Sequence, residues 1–115
     1  MEDPYYDLFE DFDLIVSSFR AQYGIKVYSK EFQEMKWDEF CALLSGLGPE
    51  TSLGRIVQIR SEDNEDILKN FSKEQHRIRN EWRSRSAQKV SPEKMEDFLE
   101  QMKKTFISMA GGVKN

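Results

Sequence analysis

The sequence predicts an all-α protein, a single compact domain of five to six short helices. Apolar residues recur at intervals of three and four along most of the chain, which is the period of an amphipathic helix. No stretch alternates apolar and polar residues in the way that a half-buried strand does. Helix-capping residues and glycines stand at the ends of the periodic segments. Within residues 1–115 we expect a flexible acidic lead-in over residues 1–6 and a flexible tail over residues 111–115.

The first predicted helix ends before Gly24, because glycine readily adopts the left-handed conformation that follows many helices. Its apolar stripe advances in steps of three or four residues, which places the side chains on one face of a helix. The stripe comprises Leu8, Phe12, Ile15, Phe19 and Tyr23. The sequence IKVYSKEF follows over residues 25–32 and is short and partly β-branched, so we predict an extended linker there.

Two further amphipathic segments and a short one occupy the middle of the chain. The second predicted helix closes at Gly46 or Gly48. Thr51 is the expected N-cap of a third helix, since its side chain can accept a bond from an early backbone N–H group. A polar break follows, in which Asp63 or Asn64 can cap a short fourth helix. The apolar faces of these three helices comprise Trp37, Phe40, Cys41, Leu44 and Leu47; Leu53, Ile56 and Val57; and Ile67, Leu68 and Phe71.

Two start signals introduce the remaining helices. Ser72 and Gln75 have the spacing of a capping box, which predicts the beginning of an arginine-rich helix. Ser91 followed by Pro92 predicts the start of the last helix, with the serine as N-cap and the proline in the first turn. We expect this helix to stop at the glycine pair 111–112. Its apolar stripe comprises Met95, Phe98, Leu99, Met102, Phe106 and Met109.

Composition excludes several classes of protein. The formal charge of −4 argues against a general polyanion-binding protein. A single cysteine excludes an intrachain disulfide and is typical of a reducing compartment. No apolar run approaches the roughly 20 residues of a membrane span, and the acidic N-terminus lacks the positive start of a signal peptide. We therefore expect a soluble, intracellular protein that does not bind membranes.

Residues that commonly carry catalysis are scarce. His76 is the only histidine, and the arginines around it disfavour its protonation by like-charge repulsion. Cys41 falls on the apolar stripe of its helix with no base close in sequence, so we interpret it as a structural cysteine. One histidine and one cysteine do not make a zinc site, and the chain has no glycine-rich phosphate loop. We expect no enzymatic activity, no cofactor and no metal.

Charge is unevenly distributed along the chain. Residues 1–15 contain six acids and no base, whereas residues 73–89 contain six bases and two acids. The bases surround the apolar strip of Ile78 and Trp82, whereas a helix that follows a phosphate backbone gathers them on one side. Three interpretations stay open for this helix. It is a solvated scaffold helix with ion pairs such as Glu81 with Arg85, or it docks against an acidic protein surface, or, with least support, it binds nucleic acid. The acidic surface includes the chain's own first helix, within one chain or between copies.

The last helix also has two interpretations. Its methionine and aromatic stripe either completes the core of the domain or receives a segment of a partner, since methionine adapts to varied shapes. The arginine-rich helix would then supply a charged rim that steers an acidic segment. The candidate partner-binding residues are Met95, Phe98, Met102, Phe106 and Met109, with Arg77, Arg79 and Arg83.

Three segments resemble a known family: FRAQYGI, MKWDEFCALLSGLGPETSLGRIVQIRSED and LKNFSKEQHRIRNEWRSR. They are similar to the small tail assembly chaperones encoded among the tail-morphogenesis genes of siphophages and prophages of Gram-positive bacteria. The resemblance runs from about Phe12 to Arg85. It implies a helical, non-enzymatic protein of the host bacterial cytoplasm that keeps the phage tape measure protein soluble until tail tube subunits polymerise around it. Further partners would be copies of the chain itself or an upstream tail assembly protein.

Members of that family often carry an additional N-terminal region. The resemblance therefore leads us to expect a compact version, or the portion that other phages join to an upstream partner by translational frameshifting. The alternative function belongs to another class: a small phage regulatory or anti-defence protein that binds a host nucleic-acid enzyme. In that case the acidic residues 2–13 would imitate a phosphate strand.

Overall fold

The computed structural model describes residues 5–85 and 92–112, and over these residues the chain forms helices joined by turns, without strands. The helices are α1 (Phe12–Tyr23), α2 (Lys30–Glu34), α3 (Trp37–Ser45), α4 (Ser52–Ser61), α5 (Glu65–Leu68), α6 (Lys73–Ser84) and α7 (Pro92–Gly112). The all-α prediction is confirmed. The described residues contain one helix more than the expected maximum of six, because α2 begins within the predicted linker.

The first helix ends as its sequence predicts but begins at Phe12, after Leu8, the first residue of its predicted stripe, which lies in a turn. The carboxylate of Asp7 accepts the N–H groups of Phe9 and Glu10 at 2.8 and 3.1 Å, which stabilises a turn that leads into α1. At the other end Gly24 has a φ of 70° and donates its N–H to the carbonyl oxygen of Arg20. This left-handed glycine stops α1 and turns the chain back along the body.

The extended linker predicted for residues 25–32 is wrong in its second half. Ser29 is extended and its side chain accepts the N–H of Phe32 at 3.1 Å, so α2 begins at Lys30. A five-residue helix is too short to show an apolar period, which is why the spacing of the sequence did not reveal it. Its formation depends on Phe32, which is buried in the core.

A buried serine joins α1 to the start of α4. Ser18 is completely buried, donates its hydroxyl to the carbonyl oxygen of Leu14 at 2.6 Å and accepts the N–H of Leu53 at 3.0 Å. That N–H belongs to the first turn of α4 and has no partner within its own helix. Thr51 caps the same helix as predicted, since its side chain accepts the N–H of Gly54. The beginning of α4 is therefore fixed by both local and long-range bonds.

The predicted caps of α5 and α6 are confirmed. Asn64, one of the two expected caps, accepts the N–H groups of Asp66 and Ile67 at 2.9 and 3.3 Å. Ser72 and Gln75 form the complete capping box, with each side chain bonded to the other's backbone N–H. These interactions involve residues within three positions of each other, which is why sequence spacing predicts them.

The described core lies between α1, α3 and α4 and the segments that connect them. The helix pairs that approach most closely along their backbones are α1 with α4, α1 with α3 and α4 with α6. The described buried apolar residues are Leu8, Phe12, Ile15, Phe19, Ile25, Val27, Phe32, Met35, Phe40, Leu44, Leu53 and Leu99. All but one of these precede α5, so α7 adds only Leu99 to the described buried core.

The expectations for the two ends of the chain meet different outcomes. Tyr6, the last residue of the expected lead-in, packs against the core, while residues 1–4 lie outside the described residues. The N-cap predicted at Ser91 also lies outside them. At the other end α7 continues through the glycine pair at which we expected it to stop, and it reaches Gly112. Over the described residues, no helix combines the length and apolar character needed to cross a membrane.

Candidate protein-binding surfaces

Two arginines of the basic helix hold it against the end of α4. Arg79 donates from Nε to the carbonyl oxygen of Glu62 at 2.8 Å, and Arg83 donates from Nε to that of Arg60 at 3.1 Å. Both guanidinium groups also lie within 3.4 Å of the Asp63 carboxylate. Cations at a helix C-terminus satisfy carbonyl groups that lack partners within the helix. The structure therefore places these two candidate rim residues in bonds between α4 and α6.

A buried ion pair connects α4 to the acidic N-terminal segment. Arg60 donates to the two carboxylate oxygens of Asp11 at 2.8 and 3.2 Å, and to the carbonyl oxygen of Tyr5 at 3.1 Å. The two side chains are only 12% and 7% exposed. The guanidinium carbon of Arg60 also lies 4.4 Å from the ring centroid of Trp82 in α6. One arginine thereby joins three separate parts of the chain.

A second contact between acidic and basic segments forms at the end of α6. Arg85 lies 2.8 Å from the carboxylate of Glu10 and 3.7 Å from that of Asp7. The ion pair expected between Glu81 and Arg85 is wrong, because α6 ends at Ser84 and Arg85 has left the helical path. These contacts, with the pair between α4 and Asp11, occur within one chain. They support the interpretation of docking against the chain's own acidic segment.

The third candidate rim residue, Arg77, lies on the exposed face of α6. It binds the carboxylates of Glu74 and Glu81. The bond from Arg77 lowers the pKa of Glu74, and the two carboxylates raise the pKa of Arg77 above its usual value. Nearby, a shallow cleft of about 370 Å³ is lined by residues of α4, α6 and the N-terminal segment. Each arginine that lines it is paired with an acid of the same chain, so the cleft has no excess of unpaired positive charge.

The stripe of α7 faces the body of the protein along most of its length. The ring of Phe98 meets those of Phe9 and Phe12 edge to face, with centroids 4.6 and 5.4 Å apart. Phe106 stacks against Phe12 at 6.2 Å and meets Tyr28 at 5.9 Å. Met95 and Met102 are also partly buried against the core, whereas Met109 is 56% exposed. Of the five candidates on α7, only Met109 therefore presents most of its side chain to solvent.

Lys103 is a buried charge that we did not predict. It is 4% exposed, and its ammonium donates to the carbonyl oxygen of Met35 at 2.6 Å and to the carboxylate of Glu100 at 2.9 Å. Met35 follows the last residue of α2, so the lysine satisfies a carbonyl at a helix end. The signal in the sequence was its position four residues after Leu99, on the apolar stripe of α7.

Several exposed apolar side chains lie at or near the C-terminal end of α7. Ile107 and Met109 are 51% and 56% exposed, and Tyr28, which contacts Phe106, is 53% exposed. Ile67 on α5 is the other large apolar residue among those described that is strongly exposed, at 46%. Single exposed apolar residues are ordinary, whereas a group of them is typical of a protein-binding surface. Phe106 and Met109 lie three positions apart and share one face of α7, whereas Ile107 lies on another face. We call Tyr28, Phe106 and Met109 the α7-end patch.

Comparison with protein families shows to which family the chain belongs. The profile of the family described as "Bacteriophage Gp15 protein" matches residues 1–84, which is 84 of the 115 residues. The chain belongs to this bacteriophage family. The match contains α1 to α6, while α7 lies outside the matched residues. Comparisons with curated proteins and with solved structures gave no significant match.

The cysteine and histidine of this Gp15-family chain occupy ordinary structural positions. Cys41 is half-buried on α3, and burial, with the nearby carboxylates of Asp38 and Glu96, raises the pKa of its thiol. A raised pKa makes a thiol less nucleophilic near neutral pH. His76 packs edge to face against Phe71 at 5.5 Å. Among the described residues, no group of three or more histidine, cysteine or acidic side chains is arranged to hold a metal ion.

Proposed function

We propose that this bacteriophage protein assists tail assembly without catalysis, by binding the tape measure protein in the host cytoplasm and keeping its helices soluble. The observation that carries the proposal is the α7-end patch, in which Tyr28 and Met109 are about half exposed and Phe106 contacts both Tyr28 and Phe12. Amphipathic helices bind proteins by laying their apolar face against such a surface. The resemblance of residues 12–85 to tail assembly chaperones supports the same role.

The use of charge inside the chain favours this function over nucleic-acid binding. Arg79, Arg83 and Arg85 all bond to other parts of the same chain, so they are not grouped to meet a phosphate backbone. The charged rim that we expected for the binding surface is similarly engaged within the fold. Apolar contact is thus the stronger source of affinity for a partner.

The alternative, imitation of a phosphate strand, loses support for a related reason. Asp11 is buried against Arg60, and Asp7 and Glu10 lie beside Arg85. A strand mimic requires its carboxylates to face a partner in a regular row, whereas these face the chain's own arginines. Reversing the charge of Asp11 would also unfold part of the N-terminal segment, so loss of binding in that variant would not identify a mimic.

Co-expression with the tape measure protein of the same phage tests the proposal. We expect the tape measure protein to become soluble and to elute together with this protein in size-exclusion chromatography with light scattering. Addition of salt should change the affinity little, because apolar contacts do not release counterions as a phosphate interface does. A tape measure protein that stays insoluble while this chain elutes alone would exclude the function.

A matched pair of variants locates the surface. Met109→Asp places a charge in the α7-end patch, whereas Ile67→Asp places the same charge at a similarly exposed position on α5. Burial of one methionine side chain contributes about 1.5–3 kcal/mol, so the first variant should weaken binding by roughly 10-fold or more. The second should bind like the wild type. Equal affinities for the two variants would show that the patch is not the binding surface.

A further inference from the structure

We propose that α7 occupies a helix-binding groove on the body formed by α1 to α6, and that an amphipathic helix of a partner takes its place there. The groove is a second surface, separate from the α7-end patch, which a partner would contact while α7 stays in place. Contacts within this chain support the existence of the groove. Only the choice of the tape measure protein as the natural partner rests on the proposed function.

The face under α7 has the composition of a helix-binding groove. Phe9 and Phe12 form its aromatic floor beneath Phe98 and Phe106. Tyr28 contributes one wall, and its ring contacts Phe106 while more than half of its surface remains exposed. An amphipathic helix with aromatic or aliphatic residues on one face fits such a surface, as in other helix-in-groove complexes.

The way in which α7 is attached distinguishes it from the other long helices. It is absent from the helix pairs whose backbones approach most closely, and it reaches the body through long side chains. It also follows the residues that match the family, which end at residue 84. Local opening can require less free energy than global unfolding where the backbone of an element is not packed closely against other helices. Such a helix can leave the body without unfolding α1 or α4.

Lys103 is buried and fixes the axial alignment of a helix that lies in the groove. Leucine at position 103 would stabilise the packing of a purely structural helix more than lysine does. Removing an ammonium group from water is costly unless all of its N–H groups are hydrogen-bonded. Here the ammonium of Lys103 meets the carbonyl oxygen of Met35, which lies at the end of α2. A buried polar contact of this kind selects one alignment of two helical surfaces. The carbonyl of Met35 is therefore the polar determinant of the groove.

The residues of α7 predict the sequence pattern of the partner helix. Relative to Phe98, apolar residues stand at positions 0, 1, 4 and 8, and a lysine stands at position 5. These positions correspond to Phe98, Leu99, Met102, Lys103 and Phe106. A partner segment with this pattern can present the same face and the same ammonium to Met35. An acidic residue at position 5 would oppose binding, because it would meet the carbonyl oxygen.

Competition with a tethered helix sets the expected affinities. Residues 86–91 join α7 to α6, and a short tether gives a local concentration on the order of millimolar. A free peptide with the sequence of residues 92–112 must compete for the groove with the α7 of the same chain, which is present at that local concentration. We therefore expect an apparent Kd near millimolar for binding of the peptide to the wild-type chain. Weakening the tethered helix should tighten the apparent affinity of the peptide by at least about 10-fold.

Titration of that fluorescently labelled peptide into full-length variants tests the groove. The variant Phe98→Ala with Phe106→Ala removes the aromatic contacts of the tethered helix and should bind the peptide at least about 10-fold more tightly than wild type. The variant Lys104→Ala, at an exposed neighbouring position, is the control and should behave like wild type. A peptide carrying Leu99→Asp should not bind, because Leu99 is the completely buried apolar residue of α7.

Hydrogen exchange on the unmodified chain provides a second measurement that does not depend on a variant folding correctly. Amides of α7 should exchange through a local opening at least about 10-fold faster than those of α1 and α4. Exchange of α7 only with global unfolding would overturn the proposal. So would failure of the folded double variant to bind the peptide, or a wild-type dimer that exchanges α7 between copies. Peptide binding without solubilisation of the tape measure protein would exclude the proposed function and leave the groove established.

Discussion

The ion pair between Arg60 and Asp11 provides a sharp test of what holds the N-terminal segment to the body. The substitution Arg60→Met preserves most of the side-chain volume and removes the guanidinium. Asp11 would then keep one described bond, from the N–H of Asp7 at 2.9 Å, and its carboxylate would remain buried without a cation. The guanidinium contact with Trp82 and the bond to the carbonyl oxygen of Tyr5 would be lost as well.

The expected loss of stability follows from the burial of the pair. Removing one partner of a buried ion pair costs about 3–5 kcal/mol, chiefly because the remaining charge has lost its compensation. A domain of this size has a free energy of unfolding of about 5–15 kcal/mol. Arg60→Met should therefore remove a large fraction of the total stability. The double variant with Asp11→Asn should lose less than the sum of the two single variants, because both singles break the same interaction.

Urea denaturation followed by far-UV circular dichroism measures these differences, and dichroism avoids the direct effect of Arg60 on the fluorescence of Trp82. Arg77→Met is the matched control, since Arg77 binds two carboxylates on the exposed face of α6. Exposed pairs are screened by solvent, so this variant should unfold close to the wild-type midpoint. A similar loss of stability in both variants would refute the conclusion that burial decides the strength of these pairs.

Two further predictions concern packing and reactivity. Gly54→Ala would place a Cβ atom in steric overlap with the carbonyl oxygen of Gly48, so we expect the free energy of unfolding to fall by about 1–3 kcal/mol or more. Arg55→Ala, at the exposed neighbouring position, should change thermal unfolding little. Equal melting of both variants would contradict this close approach. Burial raises the pKa of the Cys41 thiol, so its thiolate forms only at higher pH. Alkylation by iodoacetamide should therefore be slower in the folded chain than in urea at the same pH, and equal rates would contradict it.

The candidate site was only partly predictable. The sequence pattern identified the apolar stripe of α7 and left open whether it faces the core or a partner. The structure turns Phe98 and Phe106 inward onto Phe12, and it leaves Met109 exposed. An amphipathic period shows that a helix has an apolar face, but it contains no information about which surface will cover that face. The role of Lys103 was missed because its acceptor lies 68 residues away in the chain.

The sequence by itself determined most of the helices and several of their ends, because capping and periodicity depend on residues a few positions apart. It did not reveal α2, and it placed the end of α7 too early. Thr51, the capping box at Ser72 and the left-handed Gly24 all act within such short distances. Only the tertiary structure decided the roles of the charged residues. Arg60 and Asp11 are 49 positions apart, and a guanidinium binds equally well to an acid of its own helix, of a distant segment or of a partner. Packing of α4 against α1 brings these two side chains together and buries them, and burial is what makes the pair strong.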